Sequence, residues 1–282
     1  MAYDYKLLTV EIDKRLAKVT ISNPPINLMT PDLFSELRKL CIELENDDSL
    51  SVVLFKSANP DFFIAHFDVE AILQFPTDGE PRRKSELNSF HQMCERVRTM
   101  DKVTIAQIEG RVGGGGSEFV SSMDMRFGVS GKTLVNQMEV PIGILPGGSG
   151  TQRLPRLMGA GRALEVILGG QDLDAETAEN WGYLNRVFQA ADIEEWVGSF
   201  ARRIAGFSVP AVRLAKAAVL ASEKPIDEGL REEAYLFSQL LRTPEAQSQM
   251  KQFLELGGQT VDGELQVGQI SGKLALGSSN EV

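Results

Sequence analysis

Four consecutive glycines, Gly113–Gly116, follow closely on a short apolar run, Val103–Ile108, and few backbones accommodate that succession. The apolar run has the length and composition of a buried strand, and Gly110 breaks it. Glycines in series mark tight turning, or an approach of backbones so close that a Cβ would clash. Ser117-Glu118-Phe119-Val120 comes next and is expected to start a helix. A glycine-lined turn feeding a helix start leaves backbone N–H groups unpaired and facing outward. Such a geometry suits an anion, either bound or developing during a reaction. Glu118 stands one turn away, and Glu139 follows within Asn136-Gln137-Met138-Glu139-Val140. A second glycine cluster closes the stretch at Pro146-Gly147-Gly148-Ser149-Gly150.

On the residues alone a plain flexible turn fits the same spacing, and a glutamate at a helix start is favoured by the macrodipole without any chemistry. The glycines do not fit two familiar nucleotide cradles. No Gly-Lys-Ser/Thr follows four spacers, and a G-x-G-x-x-G reading ends on Glu118 from Gly113 and on Arg153 from Gly148. The net charge of −10 argues against a nucleic-acid-binding surface but leaves room for a small polyanion held by a local basic patch. Cys41 and Cys94 lie amid apolar residues on expected helices and read as buried, reduced thiols. With two histidines, His66 and His91, and no ligand spacing, no metal site is expected. No apolar run reaches the roughly 18 residues that cross a bilayer. The N-terminus has neither a signal nor a transit pattern, so a soluble cytoplasmic protein with no membrane partner is expected.

Taken in order, Leu7–Ile12 and Ala17–Ser22 read as a hairpin turning at Asp13-Lys14-Arg15. Thr30 caps an expected helix over Pro31–Glu45, with Leu33, Leu37, Leu40, Cys41 and Leu44 on one face. Ser51–Phe55 is a buried-type strand. Val69–Phe75 reads as a short helix, and Ser85–Met100 as an amphipathic one with Leu87, Phe90, Cys94 and Val97 inward. Arg82-Arg83-Lys84 between them is a solvated basic cluster that also offers a contact for phosphates. Helices are further expected over Gly161–Leu168, Ala175–Trp181, Ile193–Ala205, Val209–Ser222, Ile226–Leu241 and Pro244–Leu256, with a short strand at Asn185–Phe188. Residues 257–282 are rich in Gly, Ser and Gln and read as a flexible tail.

The central stretch resembles the core signature of the crotonase (enoyl-CoA hydratase/isomerase) superfamily. The matching parts occur in order: Gly114-Gly115-Gly116-Ser117-Glu118, then Asp124, then Gln137-Met138-Glu139, then Pro146-Gly147-Gly148-Ser149-Gly150-Thr151-Gln152-Arg153-Leu154. The likeness runs from about residue 5 to about residue 255. It implies an α/β fold, a spiral of repeated ββα units, with a catalytic core over 1–205. It also implies a C-terminal helical trimerisation region over 206–256, hence a homotrimer or homohexamer. The substrate it implies is an acyl-CoA thioester, with no separate cofactor because coenzyme A belongs to the substrate.

The resemblance also implies roles for single residues. Backbone N–H groups of Phe67 and Gly115 would hold the thioester oxygen, and Ala65, His66, Asp68 and Gly114 would line the substrate. Glu118 would activate water and Glu139 would deliver a proton. Two nearby carboxyl groups in an apolar pocket do not both ionise cheaply, which suits that division. This chain departs from the pattern at one loop. The usual Ala-Gly-Ala-Asp stands here as Ala65-His66-Phe67-Asp68, adding two rings beside the reacting group. They read either as packing and pocket shape or, for His66, as an added acid–base group. The spacing between the glutamates is one residue longer than usual, and Ser130-Gly131-Lys132 is expected to absorb it. Hydration of a trans-2-enoyl-CoA leads the reading. An isomerase using Glu139 alone, another acyl-CoA reaction, and a non-catalytic acyl-CoA-binding subunit stand beside it.

Overall fold

The computed structural model describes residues 3–80 and 82–277. The chain opens with an antiparallel hairpin, β1 (Leu8–Asp13) and β2 (Leu16–Ile21), as the alternation predicts. Helix α1 (Pro31–Glu45) begins where Thr30 accepts the Leu33 N–H at 3.3 Å, and Pro31 fills a position that needs no N–H donor. Its buried face is the expected one: Leu33, Leu37, Leu40, Cys41 and Leu44.

A strand–strand–helix unit then repeats. First come β3 (Val52–Ser57), β4 (Phe62–Ile64), α2 (Val69–Ile72) and α3 (Ser89–Thr99). Next are β5 (Val103–Ile108), β6 (Arg111–Gly113) and α4 (Gly114–Ser121). The third pass is β7 (Met125–Val129), β8 (Leu134–Asn136), α5 (Gly150–Met158) and α6 (Ala160–Gly169). After β9 (Leu173–Asp174), α7 (Ala175–Trp181) and β10 (Arg186–Phe188), the rest is helical. It comprises α8 (Ile193–Ala205), α9 (Val209–Leu220), α10 (Ile226–Leu240), α11 (Pro244–Glu255), α12 (Val261–Glu264) and α13 (Val267–Gly277).

The first strand of each unit joins one sheet, ordered β1-β2-β3-β5-β7-β10, and the second joins another, ordered β4-β6-β8-β9. Within each sheet the repeating strands are parallel, so the chain advances one strand in both sheets per turn. That is the spiral of ββα units the resemblance implies. The larger sheet is covered on both faces, which is why its strands read as continuous apolar runs. Val53, Phe55, Ala106 and Ile108 face the main core with α1, α3, α4 and the smaller sheet. Val52, Leu54, Val103 and Ile105 face Ile193, Val197 and Ala201 of α8.

Several boundaries move from their sequence positions for physical reasons. Helix α3 starts at Ser89, not Ser85, because Asn88 caps it by accepting the His91 N–H at 2.8 Å. Leu87 is therefore outside the helix and 52% exposed rather than inward. Helix α4 starts at Gly114 rather than Ser117, so three of the four glycines form its first turn. A Cβ on Gly116 would lie 2.7 Å from the Ile64 carbonyl oxygen, and one on Gly113 2.6 Å from that of Ala65. Close approach, not a flexible turn, is the reason for the glycine run. The segment read as a flexible tail contains α12 and α13. Ile270 and Ala275 are buried, and Arg203 donates to the Gly268 carbonyl at 3.0 Å. Residues 278–282 of that segment lie outside the described residues. Cys41 and Cys94 are buried and free, as expected. Among the described residues, no single helix is long and apolar enough to cross a membrane.

Arg126 of β7 holds the far end of α4. Its guanidinium is buried and donates to the carbonyls of Met123 at 2.6 Å, Val120 at 3.3 Å and Tyr183 at 2.6 Å. Tyr183 in turn meets the Ser117 hydroxyl at 2.8 Å. Arg126→Met would fill the space but strand the Met123 and Tyr183 carbonyls in the core, while Val120 keeps the Met123 N–H at 3.0 Å. With about 1–3 kcal/mol for each unsatisfied buried group, we expect a loss of roughly 2 kcal/mol or more. A fall in the urea midpoint at unchanged m-value would register it. A midpoint within error of the native protein would refute the account.

Candidate active site

The N-terminus of α4, the loop after β4 and the segment after β8 converge on a cavity of about 440 Å³. Its wall includes Glu118, Glu139, His66, Phe67, Gly114, Gly115 and Gly148. The β7–β8 turn, Ser130-Gly131-Lys132, lies between the two glutamates. Gly131 there adopts φ +66° with open space around it, and both carboxylates still face one cavity.

Glu118 is almost wholly buried. Its Oε1 accepts two backbone N–H groups, from Gly148 at 2.7 Å and Gly150 at 2.8 Å. Gly150 opens α5, so this carboxylate sits at a helix N-terminus, where negative charge is favoured. Burial outweighs that support, and together with the nearby Glu139 it pushes the Glu118 carboxyl up from 4.5 to about 7. A Cβ on Gly148 would come within 2.6 Å of both Glu118 Oε2 and the Phe90 ring, so only glycine lets the turn reach the carboxylate. Between the two donors Ser149 takes φ +128°, a conformation that costs a non-glycine residue about 1–3 kcal/mol. The turn also divides two cavities. Gly148 lines the first, while Ser149 lines a second of about 390 Å³ with Glu95, Arg98, Arg153 and Glu223.

Glu139 is held differently. The Gln137 amide donates to its Oε2 at 3.1 Å. Burial raises its carboxyl above the ordinary range, while its own backbone N–H, Gln137 and His66 pull the other way. Each glutamate is therefore biased toward keeping a proton, and the two are electrostatically coupled.

The backbone at Phe67 and at Gly115 comes close together in the same cavity wall. Phe67 bridges to Met29, and that bridge is made by its neighbours: Met29 donates to His66 O at 2.9 Å and Asp68 donates to Met29 O at 3.1 Å. In such a parallel bridge the N–H of Phe67 itself points away from Met29. The Phe67 nitrogen lies 3.5 Å from the point a Cβ on Gly115 would occupy. Gly115, in the first turn of α4, carries one of the N–H groups that a helix cannot pair internally. Gly114 opens that turn at φ +46°, a left-handed conformation that favours glycine.

The loop residues divide. His66 and Phe67 line the cavity. The Phe67 ring stands edge-on to Phe34 and Phe90 at 6.0 Å from each, and those two stack on each other at 5.6 Å. Phe67 thus completes an aromatic wall. It faces Ile142, Ile144 and Leu145, which are partly open to solvent. Ala65 and Asp68 do not line the cavity. The Ala65 N–H donates to Ile26 O at 3.3 Å, and the Asp68 carboxylate caps α2 by accepting from Glu70 at 2.9 Å and Ala71 at 3.3 Å. Arg82, Arg83 and Lys84 are exposed in the connection before α3 and outside the cavity wall.

Sequence reasoning named Gly148, Gly150 and Gln137 as motif residues but gave them no role as donors to the glutamates, and it missed the Phe34–Phe90 stack. The second glycine cluster was the signal for the first pair. The aromatic stack left none, because Phe34 and Phe90 reach the cavity from two helices far apart in sequence.

An enoyl-CoA hydratase/isomerase family model matches residues 11–261. A short-chain-enoyl-CoA hydratase of Clostridium acetobutylicum is 30% identical over 87% of this chain and 94% of its own. A crotonyl-CoA hydratase of Syntrophomonas wolfei is 30% identical over 89% of this chain and 96% of its own. Among solved structures, Pseudomonas aeruginosa DspI superposes with a TM-score of 0.80 at 30% identity, covering 89% of this chain and 95% of that one. An enoyl-CoA hydratase from Bacillus anthracis gives a TM-score of 0.80 at 25% identity, covering 89% and 96%.

Burial of Glu118 has a consequence for stability. Its folded pKa, about 7, lies above the ordinary 4.5, so the native state binds the proton more tightly than the unfolded chain. Stability from this group is present below about pH 4.5 and is lost as pH rises through about 7. At about 1.4 kcal/mol per pKa unit, the loss is on the order of 3 kcal/mol. Gln at 118 keeps an acceptor for the two N–H groups and does not titrate. Urea unfolding at pH 5 and pH 8 should therefore show Glu118→Gln gaining on the native protein at the higher pH. A difference that stays constant between the two would sink this reading.

Proposed function

The chain belongs to the enoyl-CoA hydratase/isomerase family, and from that premise we propose that it adds water reversibly across the double bond of a trans-2-enoyl-CoA. What supports the proposal is one cavity whose wall carries two carboxyl groups biased toward keeping a proton together with Phe67 and Gly115. Two glutamates suit hydration better than isomerisation, which needs one group to move one proton.

The thioester oxygen accepts from the N–H groups of Phe67 and Gly115, which face it with no reorganisation. As water adds to the β-carbon, electron density moves onto that oxygen, and one such preorganised donor is worth roughly 3–4 kcal/mol. Glu118 as carboxylate takes a proton from the attacking water. Glu139 as carboxylic acid gives its proton to the α-carbon, and the oxyanion collapses to the saturated thioester. Water has been added, Glu118 has gained a proton and Glu139 has lost one. The side chains of residues 66 and 67 leave the backbone donors intact, so the remodelled loop is compatible with this chemistry. Coenzyme A enters and leaves as part of the substrate. The similarity to a short-chain-enoyl-CoA hydratase and a crotonyl-CoA hydratase makes crotonyl-CoA the first substrate to try. Exposed Val219, Ile226, Leu230 and Phe237 on α9 and α10 support a homotrimer or homohexamer built through residues 206–256.

Loss of conjugated-thioester absorbance over a series of trans-2-enoyl-CoA chain lengths tests the proposal. We expect turnover by the native protein and a fall of about 10²–10⁴-fold in kcat for Glu118→Gln and Glu139→Gln, the usual range for an acid–base group. Activity should rise with pH as Glu118 loses its proton near pH 7 and fall again once the pair holds none. A shifted double bond in place of a hydroxyl product would assign isomerisation. Thermal stabilisation by CoA esters without turnover would assign a binding subunit.

A further inference from the structure

His66 stands where the family resemblance places a glycine, and it faces Glu139. A methyl group on Gly114 would touch both, lying 3.1 Å from Glu139 Oε1 and 3.1 Å from His66 Cβ. The His66 ring is fixed in orientation, because its Nδ1 lies 2.8 Å from the Phe67 carbonyl oxygen. A carbonyl only accepts, so Nδ1 carries the hydrogen, and Nε2 is the nitrogen left to exchange a proton. His66 is part of the cavity wall. The charged groups around it are Glu139 and Glu118 across the cavity and Asp68 two residues on, whose carboxylate is engaged in capping α2.

We propose that His66 is the proton relay of Glu139, passing a proton from solvent through Nε2 and cavity water to the Glu139 carboxylate. The inference rests on the hydratase reading. After addition Glu139 is a carboxylate and Glu118 holds the proton taken from water. Protonated His66 gives its Nε2 proton to Glu139 and becomes neutral with its hydrogen on Nδ1. It then takes a proton from solvent while Glu118 releases one, so the cycle consumes none. Without a relay, the proton on Glu118 must cross the cavity to Glu139 before the next turnover. With His66 the two carboxyl groups reset independently.

Gln at 66 can keep the hydrogen bond to the Phe67 carbonyl but cannot titrate. His66→Gln should lower kcat by about tenfold or more with KM little changed, and should remove one ionisation from the pH profile. Imidazole added to His66→Gly should restore part of kcat. Unchanged kcat and pH profile in His66→Gln would overturn the proposal. So would a loss of kcat with an unchanged profile and no imidazole rescue, which would mark a purely structural prop. A second measurement does not depend on turnover. The Glu139 carboxyl, which His66 pulls downward, can be followed by carbon NMR, with Glu139→Gln giving the assignment. It should titrate higher in His66→Gln than in the native protein. A Glu139 titration that ignores the substitution would refute the relay. A native protein inactive on every enoyl-CoA would refute the hydratase reading instead, leaving the coupling to be decided by the NMR experiment.

Discussion

The pair of hydrogen bonds from Gly148 and Gly150 to Glu118 joins the two halves of the site. The carboxylate comes from α4, and its donors come from the turn that opens α5. Neither element is placed without the other. Glu118 supplies an acceptor for the first N–H group of α5, and α5 together with the turn before it gives the buried carboxylate its backbone donors. The burial that raises Glu118 works against folding, and the strained Ser149 between the donors adds to that burden. Such a site persists only where surrounding packing over-determines it.

That surrounding packing is visible at both ends of α4. At its start, Gly113 and Gly116 lie against the backbone and side chain of β4 and its loop, with no room for a Cβ. The same contact brings Gly115 beside Phe67. At its end, Arg126 gathers the last carbonyls and ties them to Tyr183. On the far side of the Ser149 turn, Arg153 pairs with Glu95 of α3 and at 3.5 Å with Glu223, anchoring α5 against the helices around it. The geometry of the cavity is thus set by contacts that lie outside it.

How much of this was legible in the sequence depends on how each element is held. Val103–Ile108 and Ile193–Ala205 were readable to the residue, because burial on both faces of the larger sheet and one apolar stripe on a helix write directly into composition. The smaller sheet was not readable. Its strands are two or three residues long, too short for any period to show, and they exist because the larger sheet carries them into register. Helix α5 was hidden for a related reason. It opens on glycine and contains Pro155, and its start is fixed by a carboxylate from α4 rather than by a local cap. The two glutamates were legible through their place in an ordered motif. Asp68, part of the same motif, was legible only as a neighbour of the site, since its carboxylate caps α2.

The remodelled loop shows why a backbone-built feature tolerates change. The bridge to Met29 uses the carbonyl of His66 and the N–H of Asp68, so it orients the Phe67 N–H whatever side chains stand at 66 and 67. Those two positions are then open to other uses. Phe67 extends an aromatic wall already formed by Phe34 and Phe90, and removes apolar surface from the cavity water. His66 brings a titratable ring to the side of Glu139, which has fewer backbone donors than Glu118 and more need of a neighbour to set its charge. The asymmetry between the glutamates follows from their supports. One is held by backbone N–H groups at a helix N-terminus that favours its ionised form, and the other by the Gln137 amide, with His66 acting on it electrostatically. That asymmetry suits the proposed addition of water, in which one carboxyl group accepts a proton and the other donates one.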